Sequence, residues 1–203
     1  MDKLFGMLAL AGALALTACG GPRMSVDPAW KEKPTSYTVV MGEPYVENQD
    51  DVTDDFPEYV SNFAGWLAPQ LQAELEHQSK VRPELKVVAD ENFKKAVLPL
   101  GDDAVLVHIP NPEKIAGLQG IVVAVHPIRF RREQGACPQG GCLNNKHLVA
   151  IAAYSFVNVD EKRVLGYGFL AANDNFSFVM TRSNWENVVS EMAGEIITGT
   201  PLK

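Results

Sequence analysis

Two of the three cysteines in this 203-residue chain lie close together, in the segment Cys137-Pro-Gln-Gly-Gly-Cys142. A six-residue ring with two glycines allows the close approach of Cβ atoms that a disulfide requires. We predict that Cys137 and Cys142 form a disulfide, which in so short a loop contributes about 2 kcal/mol and fixes the loop rather than the fold. A redox pair, or a zinc site completed by His126 or His147, stays open as an alternative.

The third cysteine, Cys19, follows an apolar amino-terminal segment. Lys3 supplies a positive charge, and residues 4–16 contain no charged or strongly polar side chain. A helix of this length is too short to cross a hydrocarbon core of ~30 Å. The pattern is instead typical of a signal peptide.

The residues that end this segment, Leu16-Thr17-Ala18-Cys19, resemble the lipobox of bacterial lipoproteins. The resemblance implies cleavage after Ala18, a diacylglycerol on the Cys19 sulfur and usually a third acyl chain on the new amine. Several acyl chains, at ~0.8 kcal/mol per buried methylene, hold a protein stably on a membrane. Gly20 stands where an Asp would often mean inner-membrane retention, which favours the outer membrane, with the domain facing the periplasm. The alternative is an ordinary secretory signal with an accidental cysteine.

Length and composition limit the number of domains and the class of partner that this chain can have. Removing residues 1–18 from the 203-residue chain leaves 185 residues, which suits one domain with a sizeable core. The net charge of −7 argues against nucleic acid as a partner. Residues 20–34 are rich in Pro, Gly and Lys without an apolar period. We therefore predict a lipid-anchored tether over 19–35 and a single periplasmic domain over 36–203.

Three arginines near the end of a predicted strand form a candidate binding patch. Arg129 and Arg131 alternate on one strand face, with Arg132 beside them and Lys146 across the turn. Arginine binds carboxylates through two parallel hydrogen bonds, so the patch would suit an acidic protein partner or peptidoglycan. The alternative is a solvated hairpin tip whose charges protect a strand edge.

An acidic cluster offers oxygen ligands, but its spacing lacks the pattern and the glycine of a calcium loop. Helix capping and solvation explain most of these carboxylates, so we predict no metal site. The cluster comprises Asp50, Asp51, Asp54, Asp55 and Glu58.

The motifs of catalysis and cofactor binding are missing from the sequence. There is no nucleophile elbow, no His-Glu-x-x-His and no phosphate loop, and Gly166-Tyr-Gly168 lies within a strand pattern. The four histidines, at positions 77, 108, 126 and 147, show no metal-ligand spacing. We expect neither a cofactor nor an enzymatic activity, although a site assembled from distant residues is not visible in sequence.

The order of elements predicts an α/β sandwich with a mixed, largely antiparallel sheet. An early helix is expected near 57–77, beginning at Pro57 and kinked or split at Pro69, and a terminal helix at 184–197 with a Ser183–Glu186 capping box. Turns are expected at 160–162 and at 173–175. Strands are expected at 37–41, 85–89, 104–109, 121–130, 148–159, 163–172 and 176–180.

This pattern resembles a periplasmic domain family. A long strand from Gly120, a hairpin strand ending Phe156-Val-Asn-Val-Asp160, a return strand and a helix led by Trp185 are shared features. The domain occurs in the curli-secretion channel lipoprotein, in lipoprotein activators of penicillin-binding proteins and at the amino terminus of the Tol–Pal β-propeller protein. The turn at 160–162 lacks the Thr-Gly usual there, and the cysteine hairpin is an addition.

Together these features predict a non-enzymatic lipoprotein that binds an envelope protein or the cell wall and contacts the membrane through its lipid. One alternative is an envelope hydrolase or other enzyme with an assembled site. Another is a subunit of an oligomeric secretion assembly, which the resemblance to the curli channel suggests.

Overall fold

The computed structural model describes residues 23–47, 62–134, 146–176 and 179–203. Its strands and helices, in chain order, are β1 (Met24–Val26), β2 (Thr38–Gly42), β3 (Pro44–Val46), α1 (Phe63–Ser79), β4 (Glu84–Val88), β5 (Phe93–Leu100), β6 (Asp103–Pro110), β7 (Ile121–Gln134), β8 (Lys146–Asn158), β9 (Arg163–Phe176) and α2 (Arg182–Ile197). Cys19, Cys137, Cys142 and the acidic cluster lie outside the described residues.

Seven strands form one mixed sheet in the order β1-β9-β8-β7-β2-β4, with β3 also pairing with β7. Strands β7, β8 and β9 run antiparallel to one another, and β1 runs antiparallel to β9. Strand β2 pairs parallel with both β7 and β4. The two helices of the described residues pack on the sheet, which confirms the predicted α/β sandwich with a largely antiparallel sheet.

The long central strands form because their β-branched and aromatic residues suit a pleated surface that is covered on both faces. On β7, Val123 and Phe130 belong to the large core beneath the helices, whereas Val122 and Ala124 face a second, smaller core. The smaller core lies beneath the β5–β6 hairpin, which forms a separate two-stranded sheet. The seven-stranded sheet is therefore the middle layer, with the two described helices on one face and the β5–β6 hairpin on the other.

Helix α1 begins later than the predicted Pro57, which lies outside the described residues. Asn62 caps α1, its side chain accepting a hydrogen bond of 3.0 Å from the Gly65 N–H. Pro69 does not split the helix, since the structure keeps Phe63–Ser79 as one element. The fully buried Leu67, Leu71 and Leu75 repeat every four residues, and their burial holds the helix across the proline.

Helix α2 confirms the predicted terminal helix, but the predicted capping box is wrong. The cap is Thr181, and its partner at the third helical position is Asn184, rather than Ser183 and Glu186. The Asn184 amide also donates to Asp174 Oδ2 at 2.8 Å, so a long-range contact favours this earlier start. Trp185 is fully buried, as expected for a core helix.

Two further expectations differ from the structure, and one strand was not predicted. The segment predicted as a tether contains β1 and the buried Trp30, whose ring lies 5.2 Å from that of Phe156. The predicted turn at 173–175 and the break before the strand at 176–180 are wrong, because β9 continues to Phe176. Strand β5 has no counterpart in the sequence analysis. Its lysines and Pro99 obscure the pattern of a strand that, among the described residues, pairs with β6 alone.

Candidate functional site

The three arginines of the predicted patch do not share one face. Arg129 and Arg131 lie on one side of β7, whereas Arg132 lies over the ring of Phe176, 5.1 Å from its centroid, at the edge of the large core. Because alternate strand residues point to opposite faces, Arg132 is separated from its neighbours by the sheet itself. The structure therefore reduces the predicted patch to two residues.

Both of these arginines are paired with carboxylates of the same chain. Arg129 lies 3.7 Å from Glu47, and Arg131 forms an ion pair with Glu133. The Arg129 side chain is 60% exposed, and exposed pairs of this kind contribute about 0–1 kcal/mol. A carboxylate ligand would have to compete with Glu47 and Glu133, so this surface is balanced in charge rather than strongly cationic.

Two histidines that looked unrelated in the sequence meet between the hairpin and the sheet. His108 from β6 and His126 from β7 have ring centroids 4.5 Å apart and planes at 85°. Phe93 stacks on His126 with centroids 4.6 Å apart and an interplanar angle of 5°. Gly42 is required beside them, since a Cβ there would lie 2.0 Å from His126 Nδ1.

Burial dominates the electrostatics of this histidine pair. Burial, followed by the neighbouring His126 and Lys95, lowers the pKa of His108 from 6.5 to about 4. Burial also lowers the pKa of His126, although the carboxylate of Asp90, 3.5 Å from its Nε2, acts in the opposite direction. Both imidazoles are therefore neutral at pH 7.

An imidazole beside a carboxylate is an arrangement that acid–base catalysis uses, but here it is covered. His108 and His126 are each only 6% exposed, with Phe93 and the β5–β6 hairpin over them. The Nδ1 atoms of both rings are buried and have no hydrogen-bond partner among the described residues. The Ser155 hydroxyl donates to the backbone carbonyl of His108 at 3.0 Å, which ties the hairpin to β8. The geometry thus suits packing of the hairpin on the sheet.

A cleft of about 500 Å³ lies on the other face, where β1 meets the end of α2. Its lining residues are Arg23, Met24, Tyr154, Glu191, Gly194, Glu195 and Thr198. Glu195 forms an ion pair with Arg23 at 3.1 Å and accepts a hydrogen bond of 3.4 Å from the Ala171 N–H. These contacts connect the amino-terminal strand, the edge of the sheet and the last helix.

Burial raises the pKa values of two groups in this cleft. It raises that of Glu195, which Arg23 and the Ala171 N–H partly offset, and it raises that of the Tyr154 hydroxyl, assisted by the nearby Glu195. The charged groups are engaged with each other and with the backbone. The chemistry available is therefore hydrogen bonding and ion pairing that fixes β1 to α2.

The described parts of the chain contain no group of three or more His, Cys, Asp or Glu side chains placed to hold a metal ion. Within the same residues, no helix has the length and hydropathy that a membrane span requires. Sequence reasoning missed the histidine pair because His108 and His126 meet only through the folding of the hairpin onto the sheet. It missed the Arg23–Glu195 pair because a tether was expected there.

No protein-family model matches the chain, and no curated protein matches it. Among solved structures, the chain is similar to the PelC dodecamer from Paraburkholderia phytofirmans, at 12% identity and a TM-score of 0.40 over 89% of this chain and 98% of that one. It is also similar to a minor lipoprotein from Acinetobacter baumannii, at 14% identity and a TM-score of 0.37 over 79% and 89%. It is similar as well to a neuraminyllactose-binding hemagglutinin homolog from Helicobacter pylori, at 9% identity and a TM-score of 0.38 over 83% of this chain and 82% of that one. At such TM-scores the likeness carries no statement about function.

Proposed function

We propose that this chain is the precursor of an outer-membrane lipoprotein, cleaved after Ala18 and acylated on Cys19, whose domain is a non-enzymatic binding or accessory module in the periplasm. The observation that carries the proposal is the position of the lipobox relative to the fold. Strand β1 begins at Met24, so cleavage after Ala18 would leave every described element intact. The acyl chains would then be the attachment to the membrane.

An exposed apolar surface supports the binding role. Val97 on β5 and Leu106 on β6 are directly paired across the hairpin and are 69% and 47% exposed. The adjacent pair, Pro99 and Ala104, is also exposed. Grouped apolar residues on a surface are typical of protein contacts, whereas single ones are common everywhere. An envelope protein is therefore the partner class that the proposal favours over the cell wall.

Acylation can be tested by metabolic labelling with an alkyne fatty acid. The label should appear on the wild type and disappear from Cys19→Ala. Cys137→Ser combined with Cys142→Ser is the matched control, because it removes the other two cysteines and should keep the label. Label persisting on Cys19→Ala would refute the lipoprotein assignment.

The binding surface can be tested by crosslinking in intact envelopes. Val97→Glu with Leu106→Glu should abolish the crosslinked species, because a carboxylate in an apolar contact is strongly unfavourable. Val179→Glu is the control, since Val179 is likewise 59% exposed but lies just before α2 and outside the hairpin. Equal crosslinking in all three proteins would exclude the hairpin as the contact.

A further inference from the structure

The described fold begins very close to the proposed site of acylation. Arg23 is four positions after Cys19. Its backbone is already fixed, since the Arg23 carbonyl accepts a hydrogen bond of 3.0 Å from the Phe169 N–H, and Met24 is paired with Gly168. Three residues, 20–22, therefore separate the proposed anchor from the first described residue that the sheet holds.

Beyond the hydrogen bond between Phe169 and Arg23, glutamates of α2 already accept hydrogen bonds from the N–H groups of β9. Glu195 accepts the Ala171 N–H at 3.4 Å, and Glu191 accepts the Asn173 N–H at 2.7 Å. These are backbone donors that an extended β1 would otherwise use. The two carboxylates thus occupy the N–H groups of β9 that follow its hydrogen bond to the Arg23 carbonyl.

The reach of the anchor follows from chain geometry. Four extended residues span at most about 14 Å, at ~3.3–3.6 Å per residue. A domain of this size has a radius of gyration of about 16 Å. Because the connection is shorter than the domain's own radius, an acylated Cys19 in the bilayer surface forces the side of the domain that carries Arg23 against the lipid headgroups.

We propose that the anchor-side surface, formed by Arg23, Met24, Glu191, Glu195 and Thr198, lies directly on the phospholipid bilayer. This inference rests on the proposed acylation of Cys19. The Arg23 side chain is 55% exposed although it is paired with Glu195, so a lipid phosphate would share the guanidinium with that carboxylate. The two glutamates already bind backbone N–H groups of β9, which reduces their repulsion of the headgroups.

The opposite edge of the sheet provides an internal reference. Strand β4 is five strand positions from β1, which places it about 24 Å away at ~4.8 Å per strand. Thr198, beside Arg23, and Val87, on β4, are both exposed. A probe at each position reports how the domain is oriented on the membrane.

The test uses the full-length, acylated protein in vesicles of phosphatidylethanolamine and phosphatidylglycerol. A fluorophore is attached at Thr198→Cys or at Val87→Cys, with Cys137→Ser and Cys142→Ser in both proteins. Quenching by headgroup spin-labelled lipid should greatly reduce the fluorescence at position 198 and leave position 87 near its value in buffer. Near-ultraviolet circular dichroism confirms that both labelled proteins are folded.

A ten-residue Gly/Ser insertion between Gly20 and Gly21 is the matched control. It adds a root-mean-square span of about 17 Å, so quenching at position 198 should fall toward that at position 87 while the protein still floats with vesicles. Equal quenching at both positions without the insertion would overturn the orientation and leave the acylation standing. Failure of the unmodified protein to float with vesicles would instead overturn the proposed anchor.

Discussion

The buried histidine pair should make the domain lose stability in mildly acidic solution. A pKa of His108 lowered from 6.5 to about 4 means that the unfolded chain binds a proton more tightly than the folded one. Stability is then complete above the unfolded pKa and falls as the pH drops from about 6.5 toward 4. The lowered pKa of His126 acts in the same direction.

The size of this effect follows from linkage. Each factor of ten in proton affinity corresponds to about 1.4 kcal/mol, so His108 alone should remove about 2 kcal/mol between pH 7 and pH 4.5. That is a large part of a domain stability of roughly 5–15 kcal/mol. Unperturbed Asp and Glu side chains have pKa values of about 3.9 and 4.3, below this window. The raised pKa of Glu195 adds stability as the pH falls, so it cannot cause the loss expected from His108.

The assay is urea unfolding of the soluble mature chain, measured by Trp fluorescence at several pH values. His108→Gln should be less stable than the wild type at pH 7, because it disturbs the contact with His126, yet its stability should decline less between pH 7 and 4.5. His77→Gln is the control, since His77 lies in the last turn of α1, away from the buried pair. If the wild type and His108→Gln decline equally, the reasoning from burial is wrong.

Three further predictions concern other parts of the chain. Trp185→Ala should lower the free energy of unfolding by about 3–5 kcal/mol, because it removes a fully buried ring. Thr181→Ala should lower it by about 1 kcal/mol, because it removes the cap of α2. Urea titration measures both losses, and losses of similar size would contradict the packing argument. Mass spectrometry of unreduced protein should show Cys137 and Cys142 in one linked peptide, and replacing both with Ser should lower stability by only about 2 kcal/mol; free thiols in periplasmic material would favour the redox or zinc alternative. Gly20→Asp should move the protein from outer-membrane to inner-membrane fractions on a density gradient, and an unchanged distribution would remove the basis for the outer-membrane assignment.

Local patterns were sufficient to predict the central sheet and the last helix. The runs at 121–130 and 148–159 are rich in β-branched residues and became β7 and β8, and the apolar stripe led by Trp185 became α2. In these elements the side chains that drive burial are neighbours in sequence. Their periodicity is therefore visible without knowledge of the fold.

Elements stabilised by distant partners could not be predicted in this way. Trp30 is buried against Phe156, and residues 173–175 stay in β9 because α2 supplies partners such as Glu191 for the Asn173 N–H. A run of Asn and Asp is otherwise typical of a turn. The histidine pair is a similar case, since the β5–β6 hairpin alone brings His108 to His126.

The carboxylates along β9 also bear on crowding at the membrane. A lipid-anchored protein is confined to a surface, where neighbouring copies meet at a high effective concentration. An open strand edge would then be a template for pairing between copies. A strand approaching β9 must first displace Glu191 and Glu195 from the Asn173 and Ala171 N–H groups and then accept two negative charges beside its own backbone. Under the proposed acylation, the last helix thus keeps this stretch of β9 from pairing with a strand of a neighbouring copy on the same membrane.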